Sequence, residues 1–294
     1  MSDSIEILRP LGERRMKLGE CPVWSVRDQA LYWIDIEAPS VLRFDPASGE
    51  TREWPMPTHP GAIALYSDGS LMVALRTGLR RFGPATGSLT HLADPDYDPE
   101  TTRYNDGRCD RRGRFWIGSM YEPRDKATAK LYRYEKDVGL VAVFEGITVS
   151  NGLAWSPDGL TMYHADTPTR TVFAYDYDPD TGTPSRKRPF ASVPENMGKP
   201  DGAAVDANGG YWSALVRGGA IARFTPDGNL DRVIDLPVSR PTMCCFGGRD
   251  LETLYVTSIG HGLDARERES HPEGGALLAL TPGVKGLPEP AMVA

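Results

Sequence analysis

The chain has 294 residues, of which 40% are hydrophobic and 25% are charged, so it can bury a sizeable core and does not have the composition of a disordered chain. Its formal net charge is −7 and no cluster of Lys or Arg interleaves with aromatic residues, which disfavours nucleic acid and other anionic partners. The 31 Gly and 25 Pro favour short strands joined by tight turns over long helices.

The N-terminal segment and the cysteines indicate the compartment. Residues 1–10 contain neither the basic n-region nor the longer apolar h-region of a signal peptide, and no stretch reaches the length of a membrane span, so we expect a cytoplasmic protein without membrane contact. None of the four cysteines forms a CxxC pair, which predicts buried free thiols rather than disulfides or a thiolate zinc site.

A repeated unit runs through the chain. Six segments share a turn built on Gly or Asp followed by a short β-rich run, and these are residues 28–36, 68–75, 112–119, 158–166, 208–215 and 250–258. When they are aligned, one repeat position holds Trp33, Met72, Trp116, Tyr163, Trp212 and Tyr255. After most of these runs a second strand enters a turn with Pro and Gly, which reverses the chain between antiparallel strands.

The units recur every roughly 40 to 50 residues, the span of a four-stranded propeller blade. The sequence therefore predicts an all-β fold, a six-bladed β-propeller with four-stranded antiparallel blades, formed as a single domain by residues 1–294. A pair of β-sandwiches is the leading alternative, whereas a βαβ fold or a TIM barrel needs amphipathic helices that the sequence lacks. The apolar run from Ile5 to Leu8 is expected to add a strand to the last blade.

Polar residues recur at one phase of this repeat. Counting back about a dozen residues from the aligned position reaches Glu20, the Pro60 region, Asn105, Asn151, Asp201 and the Met243 to Cys244 region. In a propeller, equivalent positions meet at one end of the central channel. Considered singly, Asn and Asp before Gly are ordinary turn formers, but their shared phase predicts a common site.

The residue types at this phase predict a divalent cation. Two carboxylates and one or two amide oxygens that face one another would repel without a positive ion. Such donors suit Ca²⁺, Mg²⁺ or Mn²⁺, and Fe²⁺ or Zn²⁺ less well. Arg103, two residues before Asn105, is expected beside the same site, where its planar fork suits polarised oxygens or hydroxyl groups. The alternative for Arg103 is a surface ion pair.

Other catalytic patterns are lacking in the sequence. The five histidines show no spacing typical of a metal site or of a nucleophile–base pair, and they are His59, His91, His164, His261 and His271. No Ser lies in a GxSxG elbow, and no Gly-rich loop opens a helix that cradles phosphate. A serine triad and nucleotide chemistry are therefore disfavoured.

Five ordered motifs carry a family resemblance. They are LGECPVW, RYNDGRCD, SNGLAWSPDG, PDGAAVD and CCFGGRDLETLYVTS, and the likeness extends from about Leu11 to Leu280. The sequence resembles the family of senescence marker protein (regucalcin), gluconolactonase and luciferin-regenerating enzyme. That resemblance implies a six-bladed propeller that hydrolyses aldonolactones such as gluconolactone, xylonolactone or arabinonolactone with one divalent metal ion, and different members are associated with Ca²⁺, Zn²⁺, Mn²⁺ or Fe²⁺.

The resemblance also implies roles for individual residues. The family's metal ligands match Glu20, Asn151 and Asp201 in this sequence, and its substrate contacts match Arg103 and Asn105. Some members carry a further substrate-contacting Glu after a G-[ST]-M segment. Here GSMYEPRD offers Glu122, followed by Pro123, at a position that is equivalent or shifted by one.

The resulting hypothesis is metal-assisted hydrolysis of a sugar lactone. Asp201 is the candidate catalytic base that orients or deprotonates the attacking water, with a hydroxide ion on the metal as the alternative base. Two other classes stay open: a hydrolase of another ester or an organophosphate, and a non-enzymatic calcium-responsive or protein-binding propeller. The expected partner is a small sugar lactone, and the expected state is a monomer or a small homo-oligomer.

Overall fold

The structure of the chain is a computed structural model that describes the backbone of residues 6–8 and all of residues 11–294. It contains six four-stranded sheets, and every strand pairing within them is antiparallel. The sheets are the blades of a six-bladed β-propeller, as the repeat predicts.

In each of the first five blades the strand that comes first in the chain is the innermost. The strands of the first three blades are Gly19–Ser25 (β2), Ala30–Asp35 (β3), Ser40–Phe44 (β4), Thr51–Pro55 (β5), Pro60–Leu65 (β6), Leu71–Leu75 (β7), Gly78–Gly83 (β8), Ser88–Ala93 (β9), Thr102–Cys109 (β10), Phe115–Tyr121 (β11), Ala129–Glu135 (β12) and Gly139–Ile147 (β13). The strands of the next two blades are Ser150–Trp155 (β14), Thr161–Asp166 (β15), Thr171–Asp178 (β16), Thr183–Ser192 (β17), Lys199–Val205 (β18), Tyr211–Val216 (β19), Ala220–Phe224 (β20) and Leu230–Asp235 (β21).

The sixth blade combines both ends of the described chain. Its sheet order is Glu6–Leu8 (β1), Leu278–Thr281 (β24), Thr253–Ser258 (β23) and Pro241–Gly247 (β22). Ile7 pairs with Leu280, so an N-terminal strand completes the last blade as predicted from the apolar run, although Ile5 lies outside the described residues. This pairing shields an otherwise open sheet edge.

Burial decreases from the channel outwards. All residues of β2, β10, β14 and β22 are buried, whereas β5, β9 and β21 are largely exposed. The six aligned residues of the repeat are all buried between the blades. In the first blade, however, Val23 lies opposite Tyr32, as Ala154 lies opposite Tyr163 in the fourth, so Trp33 is one residue beyond the shared position.

Helical structure in the described chain is confined to short segments. Thr167–Thr169 and Glu195–Met197 form 3₁₀ turns, and Ala265–Ser270 forms a short α-helix, α1, which a capping box between Asp264 and Glu267 stabilises. Among the described residues, no helix combines the length and the apolar character needed to cross a membrane.

Candidate functional site

The innermost strands of all six blades have an irregular register near their first residues. The pairing of β2 with β3 shifts after Glu20, that of β10 with β11 after Asn105, and that of β14 with β15 after Asn151. Asp201 and Thr242 lie within the corresponding shifts of β18 and β22. A β-bulge bends its strand and re-aims a side chain. Five blades thus direct a polar residue towards one end of the channel.

Residues next to these bulges have a left-handed backbone conformation. Cys21 and Asp106, which follow Glu20 and Asn105, have φ angles of 46° and 50°, and Gly152 follows Asn151 with a φ of 65°. This left-handed region is uncommon for residues other than Gly. In the second blade Gly61 lies within the register shift, and it has no room for a side chain because an added Cβ would lie 2.3 Å from the carbonyl oxygen of Tyr104.

A cavity of about 900 Å³ opens at this end of the channel. Its wall includes five of the six residues predicted from the sequence, namely Glu20, Arg103, Asn105, Asn151 and Asp201. All five are at least nine-tenths buried within the fold. The structure therefore brings these five predicted side chains into one concave site of a size that suits a small molecule.

Hydrogen bonds link the amides of the site. Nη1 of Arg103 donates to Oδ1 of Asn105 at 2.8 Å, and Nδ2 of Asn105 donates to Oδ1 of Asn151 at 3.1 Å. Nδ2 of Asn151 in turn donates to Oγ1 of Thr167 at 2.8 Å. This order fixes both amide planes and leaves the second lone pair of the Asn151 oxygen free for another partner.

The two carboxylates are buried with few donors. Oε2 of Glu20 accepts a hydrogen bond from the backbone N–H of Cys21 at 2.9 Å. Among residues 11–294, no side chain donates a hydrogen bond to the carboxylate of Glu20 or of Asp201. Buried charges without partners are costly, so this pair of carboxylates would be stabilised by a cation.

The pKa values of the two carboxyl groups reflect that burial. Burial raises the pKa of Glu20 well above its usual range, and the charges of Asp201 and Asp106 add to this effect. Burial, and next the charge of Asp106, raise the pKa of Asp201 to about 8, although Arg103 and Arg124 act in the opposite direction. Each carboxyl group therefore favours retaining a proton unless another positive charge replaces it.

A third buried acid contributes to these shifts. Asp106 accepts the backbone N–H of Leu153 at 3.0 Å, its Oδ1 has no partner among the described residues, and burial raises its pKa to about 6. Asp106 was not predicted as a site residue, because an Asn-Asp-Gly run resembles an ordinary turn.

The donor chemistry of the site fits a divalent cation. Glu20, Asn151 and Asp201 offer carboxylate and amide oxygens, which are hard ligands. No three His, Cys, Asp or Glu side chains in the described part of the chain are grouped so as to hold a metal ion. A metal site here therefore requires the amide oxygen of Asn151 besides the two acids.

Glu122 is placed differently from the other predicted residues. It is not among the residues that line the cavity. Its carboxylate accepts two hydrogen bonds from Arg76, at 2.8 and 2.9 Å, and lies 3.7 Å from Nε of Arg103. These contacts lower the pKa of Glu122, despite its partial burial. Its direct contact with a substrate stays a prediction, and in the structure Glu122 supports Arg103.

Several residues of the cavity wall were missed in the sequence. Thr242 occupies the equivalent phase of the sixth blade, where counting had pointed to Met243 or Cys244. His261, for which the sequence predicts no role in a site, also lines the cavity and is exposed. A further set of cations that lies outside the motifs also lines the wall.

The buried Ser150–His164 pair has no role in the cavity. Oγ of Ser150 lies 2.8 Å from Nε2 of His164, and neither residue lines the cavity. Burial lowers the pKa of His164 to about 3, so its imidazole is neutral at physiological pH. The pair stabilises the interior of the fourth blade.

Comparisons with known proteins agree with the fold and the motifs. Residues 18–260 match the SMP-30/Gluconolactonase/LRE-like region. A 6-deoxy-6-sulfogluconolactonase of Pseudomonas putida is 41% identical over 288 residues, which cover 97% of this chain and 98% of the relative. Regucalcin of Gallus gallus is 33% identical over 285 residues, 95% of each chain. The crystal structure of a calcium-binding protein, regucalcin from Agrobacterium tumefaciens, is similar with a TM-score of 0.92 and 31% identity over 97% of each chain.

Proposed function

The chain belongs to the SMP-30/gluconolactonase/LRE-like family, and we propose that it hydrolyses a sugar lactone to the open-chain hydroxy acid with the help of one divalent cation. The observation that carries this proposal is the presence of two buried carboxylates, Glu20 and Asp201, beside the amide of Asn151 in one cavity wall. The name of the Pseudomonas putida relative supports a sugar lactone as the substrate.

The cation would be held by Glu20, Asn151 and Asp201. The regucalcin structure described as calcium-binding supports Ca²⁺ as one candidate ion, and oxygen donors are compatible with it. When bound, such an ion polarises the lactone carbonyl and stabilises negative charge on its oxygen.

The residues of the chain perform the remaining steps. A carboxylate oxygen of Asp201 accepts a proton from a water molecule, whose oxygen forms a bond to the acyl carbon of the lactone. The bond between that carbon and the ring oxygen then breaks, and the proton passes to the ring oxygen. The product is one hydroxy acid, so water is consumed and no other co-reactant is needed.

Arg103 and Asn105 would orient the sugar. The guanidinium group of Arg103 is fixed by Asn105 and by the carbonyl oxygen of Tyr104 at 2.9 Å, and Glu122 lies close to its Nε. A preorganised group of this kind contributes to turnover as well as to affinity, because it holds the acyl carbon in position for attack.

A pH-drop assay on a panel of neutral aldonolactones tests the proposal. The assay is run on the protein as isolated, after chelation, and after each of Ca²⁺, Mg²⁺, Mn²⁺, Zn²⁺ and Fe²⁺ is restored. We expect activity that chelation removes and at least one ion restores, and we expect Asp201→Ala to lack it. Wild-type rates in Asp201→Ala, or activity that is insensitive to chelation, would contradict the proposal.

A further inference from the structure

The cavity wall has the opposite charge balance to the whole chain. Seven Lys or Arg residues line it against three carboxylates, Glu20, Glu37 and Asp201. The chain as a whole has 33 Lys and Arg against 40 Asp and Glu. Two of the three carboxylates are also the proposed ligands of a cation. The negative net charge of the whole chain disfavours anionic partners in general. It does not exclude an anion from this cavity, because nearby charges dominate the electrostatic potential at short range.

Three of the seven cations are already engaged by the protein. Arg240 forms an ion pair of 2.6 Å with Glu267, and Arg103 donates to Asn105. Arg170 donates to backbone carbonyl groups of the segment that follows β17. These three side chains serve mainly to hold the wall in place.

The other four cations have no acidic partner. Lys17, Arg124, Lys199 and Arg217 form no ion pair with any Asp or Glu among residues 11–294, although all four line the cavity. Their charges are therefore available to a molecule in the cavity. An Arg guanidinium group in particular can bind two oxygens of one anion in parallel.

Lys199 and Arg217 lie next to each other beside the candidate base. Lys199 pairs with Val216 across the β18–β19 ladder, and Arg217 is the residue that follows Val216. Asp201 is two residues after Lys199 on the same strand. Arg124, from the third blade, is near enough to influence the pKa values of both Asp201 and Arg103. These three cations thus line the cavity on the side of Asp201, with Arg124 and Arg217 exposed to solvent and Lys199 half-buried.

Arg124 and Arg217 also share an uncommon backbone conformation, as Arg170 does. Arg124 and Arg217 have φ angles of 60° and 63°, in the left-handed region that favours Gly. Both occur in the turn after the second strand of their blades. A strained conformation retained in a cavity wall is a reason to look for function at that residue.

We propose that the preferred substrate is a lactone with a second, anionic group away from its ring carbonyl, and that Lys199 and Arg217, together with Arg124, bind that group. The anion is a sulfonate, a phosphate or a carboxylate, since all three present oxygens that a guanidinium fork and an ammonium group recognise. This inference rests on the proposed lactonase function and adds the substrate class to it.

The test compares matched lactones. The kcat/KM of the metal-loaded protein is measured for glucono-1,5-lactone and for the same ring with a sulfonate, a phosphate or a carboxylate at carbon 6. We expect at least one anionic lactone to be preferred by about tenfold or more at low ionic strength, and the preference to decrease as salt screens the cations. The three anions identify which group the wall accepts.

Charge-removing variants locate the binding group. Lys199→Gln and Arg217→Gln remove the positive charge but keep a polar side chain, and we expect each to lower the ratio of anionic to neutral kcat/KM by about tenfold, mainly through KM. The matched control is Arg249→Gln, an exposed arginine in the turn between β22 and β23 that does not line the cavity. Arg217→Glu should lower the ratio further than Arg217→Gln.

The outcomes separate the two proposals. Turnover of the neutral lactone without any preference for anionic lactones overturns this inference and leaves the lactonase proposal standing. A preference that persists in Lys199→Gln and Arg217→Gln also overturns the inference, because the anion is then bound elsewhere. Absence of turnover on every lactone in the presence of every ion overturns the lactonase proposal itself.

Discussion

Nδ2 of Asn105 donates a hydrogen bond of 3.1 Å to Oδ1 of Asn151, and this contact joins the innermost strands of the third and fourth blades. The same amide group donates to the carbonyl oxygen of Ser150 at 2.7 Å. A candidate substrate contact therefore also orients a candidate metal ligand. Substrate binding and metal binding share one hydrogen-bonded unit, so a change at Asn105 should affect both.

Replacing Asn105 with Ala should weaken metal binding although Asn105 is not a predicted ligand. The Asn151 amide would lose the donor that fixes its oxygen, and loss of such a supporting partner typically lowers metal affinity by about 10–100-fold. Calorimetric titration of the chelated protein with Ca²⁺ measures the effect. Asn208→Ala, in an exposed turn, is the control that should retain wild-type affinity. Equal affinities in the two variants would show that Asn151 is positioned without Asn105.

Replacing Glu20 with Gln should have opposite effects on metal binding and on the stability of the metal-free protein. The amide removes a negative ligand charge, so Ca²⁺ affinity should fall by about tenfold or more. The amide also removes a buried carboxyl group whose pKa is raised by burial and by Asp201, so the Tm of the chelated protein near pH 8 should rise. Glu100→Gln, an exposed residue without an ion pair among the described residues, should change neither quantity. Unchanged calcium affinity in Glu20→Gln would remove Glu20 from the ligand set.

The fold could be predicted from the sequence because each blade repeats the same local pattern of turn and strand residues. Gly and Asp at the turns and a β-rich run at a spacing of roughly 40 to 50 residues are visible without knowledge of the packing. The same phase located Glu20, Asn105, Asn151 and Asp201. In each case the polar residue lies within an innermost strand and is followed directly by buried residues of that strand.

The parts of the site that were missed depend on hairpin length and on tertiary contact. Cys245 pairs with Tyr255, ten residues later, whereas Ala204 pairs with Trp212, eight residues later. Because the hairpin of the sixth blade is longer, counting back about a dozen residues from Tyr255 ended at Met243 or Cys244 and did not reach Thr242. The contact between Glu122 and Arg76 could not be predicted from the sequence either, because Arg76 belongs to a different blade and shares no motif with Glu122.

The metal-free protein should lose stability as the pH rises from about 4 to about 8, and Asp201→Asn should remove much of that loss. The pKa of Asp201 is about 8 in the folded protein against an ordinary value of 3.8. The folded state therefore binds this proton more tightly, so its contribution to stability is complete below pH 4 and disappears as the pH rises towards 8. The slope for one such group is about 1.4 kcal/mol per pH unit. Urea unfolding of chelated samples across this range measures it, and parallel curves for wild type and Asp201→Asn would contradict the assignment.

Removing the buried carboxylate of Asp206 should destabilise the fifth blade far more than removing its exposed neighbour in the same network. Asp206 is fully buried and accepts hydrogen bonds from Nε of Arg223 at 2.7 Å and from Nε1 of Trp212 at 2.8 Å. Asp206→Ala leaves the Arg223 charge without this buried partner, which typically costs about 3–5 kcal/mol. Asp231 also pairs with Arg223, at 2.9 Å, but its side chain is 29% exposed, so Asp231→Ala should cost about 1 kcal/mol or less. Urea unfolding of the two variants measures both free energies. Equal losses of unfolding free energy in the two variants would contradict this prediction, because they would mean that Asp206 and Asp231 are equally solvated.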